Sequence, residues 1–181
     1  MESSNFKTGD ILFTSRKPKL SKPKTYVAFF INLLQTKKLR NLDQTPTHTG
    51  QIIFIYGKAH VIDSDTRGVV IYTYENWIKG RNFVKVFRPN IINGLPTTQL
   101  YTDRLISKSG GLYGWKSIPS FIEYLAGKRY LGRLTTDSDD MICSVFTAWG
   151  YKEFIKDWQI QTPQSLWVNR FKNFPKGEDC L

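Results

Sequence analysis

The sequence contains few of the residues on which several classes of protein depend. It has only two cysteines, Cys143 and Cys180, and only two histidines, His48 and His60. Two cysteines cannot build a disulfide framework, and with the two histidines they lack the spacing of a zinc site. We therefore expect no structural disulfide, no metal and no other cofactor.

Long apolar runs and a leader segment are also missing. Apolar runs such as Val27 to Ile31 are far shorter than the roughly 20 residues that span a bilayer. The first ten residues are polar and lack the basic and then apolar pattern of a signal peptide. This predicts a cytoplasmic protein made in a reducing compartment, and leaves association with a virion open.

Acidic residues are scarce, since 15 Asp and Glu stand against 26 Lys and Arg for a formal net charge of +11. Such a balance favours contact with polyanions. The stretch from Arg16 to Arg40 holds eight basic residues and no acidic one. Its loop half is either a solvated basic segment or a contact for nucleic acid, an anionic membrane surface or another anionic polymer. The lysines concerned are Lys17, Lys19, Lys22 and Lys24.

The bulk composition is that of an ordered globular protein. Hydrophobic residues make up 40% of the chain and aromatic residues 14%, which is enough to form a core. A length of 181 residues fits one compact domain. We therefore expect a single domain over residues 1–181.

Apolar patterning predicts an α+β fold. Strands are expected at Gly9 to Phe13, Thr49 to Tyr56, Ala59 to Ile62, Gly68 to Tyr74 and Phe83 to Arg88. The second and third of these strands form a hairpin around Gly57-Lys58. Helices or helical turns are expected at Tyr26 to Lys38, Tyr74 to Lys79, Thr98 to Ser107, Ile118 to Leu125 and Met141 to Trp149, and after Thr162-Pro163.

Cys143 falls near the start of the apolar segment Met141 to Trp149. The residues from Thr135 to Asp140 offer several N-cap candidates, so we predict that Cys143 lies two or three residues inside a helix. There the positive end of the helix dipole favours a thiolate, the nucleophilic form of cysteine. The alternative is an ordinary core residue, the usual role of a lone cysteine in an apolar helix.

His48 opens the first strand of the predicted hairpin and is the candidate base for Cys143. If Gly57-Lys58 is a two-residue turn, Asp63 projects from the same face as His48, whereas a three-residue turn brings His60 to that face. Either side chain could then orient the imidazole for proton transfer. The pattern leaves both open, with Asp63 as the first choice and His60 as the alternative.

The chain contains, in this order, the motifs Gly-Asp-Ile-Leu-Phe, His-X-Gly, Val-Ile-acid, Gly-Val, Val-Phe-Arg, Tyr-X-Trp and Ile-Cys-Ser. This order resembles the circularly permuted branch of the NlpC-type papain-like hydrolases, the YiiX-like group. In that branch the histidine strand precedes the cysteine helix, and the resemblance runs from Gly9 to about Tyr151. It implies a permuted papain-like fold in which an antiparallel sheet packs against the cysteine-bearing helix.

The resemblance also implies roles for individual residues. Cys143 would be the nucleophile, His48 its base, and Asp63 the polar residue in a place where many members have Glu. Lecithin retinol acyltransferase-like relatives have a second histidine twelve residues after the first, which is the spacing of His60. The chain departs from the family pattern at Gln51, where an apolar residue is usual, and at Gly114, where Asp is common.

The implied reaction is acyl transfer through a thioester. The Cys143 thiolate would attack the carbonyl of an amide or ester, with a peptide, an isopeptide, a cell-wall peptide or a lipid ester as substrate. The imidazole of His48 would shuttle the proton. The backbone N–H of Cys143 at the helix start would bind the oxyanion.

Two other functions fit the same residues. The first is a non-catalytic structural or polyanion-binding module, such as a virion component, in which the mixed basic and aromatic stretches Trp77 to Arg88 and Trp167 to Lys172 stack on bases. The simpler interpretation of these aromatic residues is that they belong to the core. The second is an acyltransferase at a membrane surface, for which the helix from Tyr26 would have to supply the anchor.

Overall fold

The computed structural model describes residues 5–15, 46–81, 83–90, 98–114 and 141–180. The strands are β1 (Ile11–Ser15), β2 (His48–Ile55), β3 (Lys58–Asp65), β4 (Gly68–Thr73), β5 (Phe83–Arg88) and β6 (Glu178–Asp179). The helices are α1 (Tyr74–Ile78), α2 (Thr98–Ile106), α3 (Cys143–Gly150), α4 (Pro163–Val168) and α5 (Arg170–Asn173). The expected α+β class is therefore confirmed. The predicted helices at Tyr26 to Lys38 and Ile118 to Leu125, and the four loop lysines, lie outside the described residues.

The six strands form one antiparallel sheet in the order β4-β3-β2-β1-β5-β6. Strand β1 lies inside this sheet, between β2 and β5. All five residues of β1 are buried, as expected of a strand with a partner on each side and packing on both faces. The strand predictions for β1, β4 and β5 are confirmed with small changes at their ends.

The hairpin turn differs from the prediction. Ile55 pairs with Lys58, so the two-residue turn is Tyr56-Gly57 and not Gly57-Lys58. Both turn residues have positive φ, 50° and 73°, as a type I′ turn requires. A tyrosine is unusual in that position, which is why the residue pattern pointed to the next pair. The change shifts the pairing by two residues, so every side chain keeps its predicted face.

Each face of the sheet carries its own apolar cluster. Helix α3 packs on one face through Val145, Phe146, Ala148 and Trp149, which contact Ile11, Phe13, Ile53 and Ile62. Helix α1 packs on the opposite face through Tyr74 and Trp77, which join Phe6, Leu12, Ile52 and Val61. The sheet thus lies between two helical elements, and one of them begins with Cys143.

The predicted start of the cysteine helix was wrong. Cys143 is the first residue of α3, and no side chain caps the helix. Met141 is held in extended backbone because it bridges Tyr113 and its carbonyl accepts a hydrogen bond from Ser64 Oγ. These contacts with distant parts of the chain delay the helix by two residues and place the thiol in its first turn.

The other described helices follow their sequence signals. Helix α4 starts after Thr162 with proline in its first turn and a capping box with Ser165. Helices α1 and α2 lie where they were predicted, at Tyr74 and Thr98. Among the residues that the structure describes, none of the helices has the length and apolar character needed to cross a membrane.

Candidate active site

The hairpin of β2 and β3 brings His48 against Asp63. Gln51 pairs with Ile62, and continuing this register places Gly50 across from Asp63, so His48 and Asp63 project from the same face. Nε2 of His48 lies 2.5 Å from Oδ2 of Asp63, and the carboxyl is fully buried. The side chain of His48 is 17% exposed, so the ring is in contact with both the carboxylate and the protein surface.

Asp63 receives two further hydrogen bonds on the same oxygen. Trp77 Nε1 donates to Oδ2 at 2.7 Å, and Arg81 Nη2 donates to it at 3.4 Å. The indole ring also stacks on the His48 imidazole with their centroids 6.2 Å apart. The carboxylate, the imidazole, the indole and the guanidinium therefore form one buried cluster, which we call the Asp63 cluster.

Gly50 leaves the space that Trp77 needs. A Cβ at Gly50 would lie 2.6 Å from Cγ1 of Val61 and 2.9 Å from Cζ2 of Trp77, closer than carbon atoms approach. The glycine of the His-X-Gly motif therefore has a packing role: it lets the indole approach β2 and reach Asp63.

Replacing Gly50 by Ala should destabilise the fold by about 1–3 kcal/mol, as overpacking of a tight core does. Urea unfolding measures this change. Trp77→Phe removes the indole atom Cζ2, so in a double-mutant cycle the cost of Gly50→Ala should be smaller in the Trp77→Phe background than in the wild type. Additive effects of the two substitutions would show that the indole is not what Gly50 accommodates.

Helix α3 runs alongside β2 and places Cys143 where that strand begins. A Cβ at Gly150 would lie 2.7 Å from Oε1 of Gln51, and Oγ1 of Thr147 lies 3.0 Å from Oγ1 of Thr49. Helix α3 therefore runs parallel to strand β2. Cys143 lies four residues before Thr147, which is about 6 Å along the helix axis. This places it level with the first residues of β2.

The electrostatics connect the thiol to the Asp63 cluster. Burial lowers the pKa of His48, but the charges of Asp63 and Cys143 outweigh it and raise this pKa to about 9. Below that pH both ring nitrogens carry a proton, and Nε2 donates to Asp63. The hydrogen bonds found among the described residues do not join the Cys143 sulfur to the imidazole, so the link between them is the effect of the Cys143 charge on the pKa of His48.

Tyr113 lies close to the same groups. Burial, and then the charges of Cys143 and Asp63, raise the pKa of Tyr113 far above its ordinary value. Its phenol therefore remains a neutral hydroxyl, a polar group that adds no charge beside the thiol and the carboxylate.

Four small hydroxyl residues that sequence reasoning missed fix α3 in place. Thr49 on β2 meets Thr147, Ser64 on β3 binds the carbonyl of Met141, and Ser144 Oγ donates to the carbonyl of Gln161 at 2.7 Å. Thr49, Ser64 and Ser144 are fully buried. The sequence signal that could have identified these residues is a hydroxyl side chain at a position that the strand or helix pattern places in the core.

The structure does not bring His60 to the Asp63 cluster. His60 pairs with Ile53 and Thr73 and lies three residues from Asp63, hence on the opposite face of β3. Its Nδ1 lies 2.9 Å from the carbonyl oxygen of Lys58 in an exposed contact. Of the two candidate partners of His48, Asp63 is the one in contact with it.

Gln51 also lies away from the cluster. It projects toward α3, is fully buried and accepts a hydrogen bond from the Tyr101 hydroxyl. This departure from the family pattern therefore concerns the packing under α3 rather than the surroundings of His48.

A metal centre is not evident in the part of the chain that the structure describes. No three His, Cys, Asp or Glu side chains in residues 5–15, 46–81, 83–90, 98–114 and 141–180 are grouped to hold an ion.

Comparison with known proteins adds a likeness of fold. No family model matches the sequence, and neither does any curated protein. Among solved structures, the chain is similar to the crystal structure of the metalloprotein YiiX from Escherichia coli O157:H7, with a TM-score of 0.52 and 16% identity. The match covers 93% of this chain and 82% of that one. At this identity the likeness concerns the fold alone.

Proposed function

We propose that this protein is a cysteine hydrolase of permuted papain-like fold, with Cys143 as nucleophile, His48 as acid and base, and Asp63 as the residue that orients His48. Its substrate is an amide, in a peptide, an isopeptide or a cell-wall peptide, or an ester. The observation that carries the proposal is the buried contact of 2.5 Å between His48 and Asp63 at the strand end beside the helix that begins with Cys143.

The contact between His48 and Asp63 determines which ring nitrogen takes part in proton transfer. Asp63 occupies Nε2 of His48, which leaves Nδ1 as the ring nitrogen available for proton transfer. The thiolate attacks the carbonyl carbon, and the electrons of the C=O bond move onto oxygen, where the backbone N–H of Cys143 stabilises them. When the tetrahedral intermediate collapses, the C–N or C–O bond breaks and His48 gives its proton to the leaving group.

The thioester is then hydrolysed. Neutral His48 takes a proton from water, the hydroxide oxygen attacks the thioester carbonyl, and the C–S bond breaks to return the Cys143 thiolate and release an acid. Asp63 keeps the imidazole in one orientation through both steps because its carboxylate is buried and also accepts hydrogen bonds from Trp77 and Arg81.

The likeness to YiiX supports the fold part of the proposal. That protein is called a metalloprotein, but the residues around Asp63 do not suit an ion. Oδ2 of Asp63 already accepts from three N–H groups, and one of them belongs to the cation Arg81, which repels a second cation. These described residues therefore do not fit a metal.

Alkylation by iodoacetamide between pH 5 and 8 tests the nucleophile. Cys143 is only 6% exposed, whereas Cys180 is half-buried and burial raises the pKa of Cys180. Accessibility thus favours Cys180, and activation by the imidazolium favours Cys143. We expect Cys143 to label first at the acidic end, and His48→Ala to move its labelling to higher pH, as read by peptide mass spectrometry.

The opposite pattern would contradict the proposal. If Cys180 labels first throughout and His48→Ala has no effect on Cys143, then Cys143 is a core cysteine and the non-catalytic binding module is the better function. His60→Ala is the matched control, because it removes the other histidine without touching the Asp63 cluster.

We also propose that the basic loop binds anionic polymers or surfaces. Replacing Lys17, Lys19, Lys22 and Lys24 by Gln removes four positive charges and should weaken binding to DNA, anionic vesicles or cell-wall sacculi, most strongly at low salt. Folding should change little, because the sequence predicts that these lysines are exposed and single exposed charges contribute little to stability.

The control for the basic loop changes the same total charge elsewhere. It replaces four exposed lysines of the described part of the chain: Lys58, Lys79, Lys152 and Lys176. Equal losses of affinity in both variants would indicate general attraction by net charge, and unchanged affinity for all three targets would make the loop a linker.

A further inference from the structure

Arg81 is the most firmly held cation near the candidate active site. Its side chain is 9% exposed, and its guanidinium lies over the Trp77 ring at 4.0 Å from the centroid. Nε donates to the Trp77 carbonyl at 2.7 Å, Nη1 to Thr14 Oγ1 at 3.3 Å and Nη2 to Asp63 at 3.4 Å. Three elements therefore fix its charge in one place: β1, α1 and β3.

The carboxylate of Asp63 needs such a charge. Its Oδ2 accepts three N–H donors, whereas its buried Oδ1 has no hydrogen-bond partner among the described residues. A buried carboxylate with one unsatisfied oxygen is costly unless a cation compensates for it. Among the described residues, Arg81 and protonated His48 are the cations that contact this carboxylate.

We propose that Arg81 is a positioning residue that shares the negative charge of Asp63 with His48, so that His48 is oriented by the carboxylate and still releases its proton to the leaving group. The proposal rests on the proposed function, and it adds a regulator of the proton-transfer step to the same site.

The need for this arrangement follows from acid catalysis. An imidazolium paired with an uncompensated buried carboxylate holds its proton too strongly to be an effective acid near neutral pH. Among the described residues, the charged groups that act on the pKa of His48 are Asp63 from β3, Cys143 from α3 and Arg81 after α1. Tyr113 lies close to Cys143, Asp63 and Asp65. Burial and Arg81 lower the pKa of His48, while Asp63 and Cys143 raise it.

The test is an NMR titration of the imidazole signals in the full-length protein. The chain has only two histidines, so His48 can be assigned from the spectrum of His60→Gln. We expect Arg81→Gln to move the titration midpoint of His48 upward and Arg81→Lys to leave it closer to the wild type, because lysine keeps the charge. A shift caused by lost packing alone would persist in Arg81→Lys, because an ammonium group cannot stack on the indole as a planar guanidinium does.

Arg170 supplies a matched control. Its guanidinium lies 3.6 Å from the Trp167 ring centroid and its Nε donates to Asp179 at 2.7 Å, so it repeats the contacts of Arg81 at another place. Arg170→Gln changes the net charge equally and should leave the His48 midpoint in place. A midpoint that does not rise in Arg81→Gln, or that rises as much in Arg170→Gln, would overturn the proposal.

The two proposals fail in different ways. An upward shift without preferential alkylation of Cys143 by iodoacetamide would support the role of Arg81 on His48 and reject the hydrolase. Normal alkylation without the shift would keep the hydrolase and reject the role of Arg81. If Arg81→Gln does not fold, Arg81→Met, which keeps an unbranched side chain over the indole, replaces it, and the same upward shift is expected.

Discussion

Asp63→Asn is expected to reduce hydrolysis of a simple ester such as p-nitrophenyl acetate by about 10⁴-fold, the cost of replacing the orienting acid by an amide in comparable relays. Asparagine has the same shape but removes the charge that keeps His48 protonated and offers an amide N–H where an acceptor is needed. The pKa of His48, raised to about 9 by Asp63 and Cys143 against the effect of burial, should fall below its ordinary value of about 6.5.

Asp65→Asn is the control for this substitution. Asp65 lies on the same strand and the same face, and it pairs with Arg67 and Tyr72 instead of His48. Asp65→Asn removes an equal charge two residues away, so this substitution should change ester hydrolysis and the His48 titration only slightly. Equal effects of the two substitutions, or full activity in Asp63→Asn, would exclude Asp63 as the orienting residue.

The choice between Asp63 and His60 shows what strand patterns can predict. Side chains alternate between faces with a period of two, so only an odd shift of register would have exchanged Asp63 for His60. The turn was placed one residue late, at Gly57-Lys58, and this moved the register by two. The face of each side chain was therefore predictable even though the turn itself was not.

The start of α3 could not be predicted because its cause lies elsewhere in the chain. The capping signals before Met141 were local, whereas the contacts that keep Met141 extended come from Ser64 and Tyr113. Such contacts override local preference. The same applies to Arg81, whose contacts with β1, α1 and β3 follow no recognisable spacing in the sequence.

Trp77 illustrates how an aromatic residue in a basic stretch can be misread. Its neighbours suggested a stacking surface for nucleic acid, but the indole is 3% exposed and donates to Asp63. The simpler interpretation, that this aromatic residue belongs to the core, is confirmed for Trp77. Its hydrogen bond to the carboxylate has no signature in the sequence, because α1 and β3 meet only in the folded chain.

Stability should depend on pH through His48. Its pKa is about 9 in the folded protein and about 6.5 in an unfolded chain, so the folded state binds the proton more tightly. The resulting stabilisation is fully present below about pH 6.5 and is lost as the pH rises through about 9. The difference of about 2.5 units corresponds to roughly 3 kcal/mol, a large part of the stability of a typical domain.

Urea unfolding at pH 6 and pH 9.5, under reducing conditions, measures this loss. Other groups titrate over the same range, so the informative quantity is the difference between the wild type and His48→Gln at each pH. That difference should shrink by roughly 3 kcal/mol between pH 6 and pH 9.5, because only the wild type has an imidazolium to lose. His60→Gln is the control, because it removes the other histidine and leaves the contact between His48 and Asp63 intact, and it should lack this loss. If His48→Gln behaves like His60→Gln, then the contact between His48 and Asp63 does not hold a proton at neutral pH, and the imidazolium required to activate Cys143 is not formed.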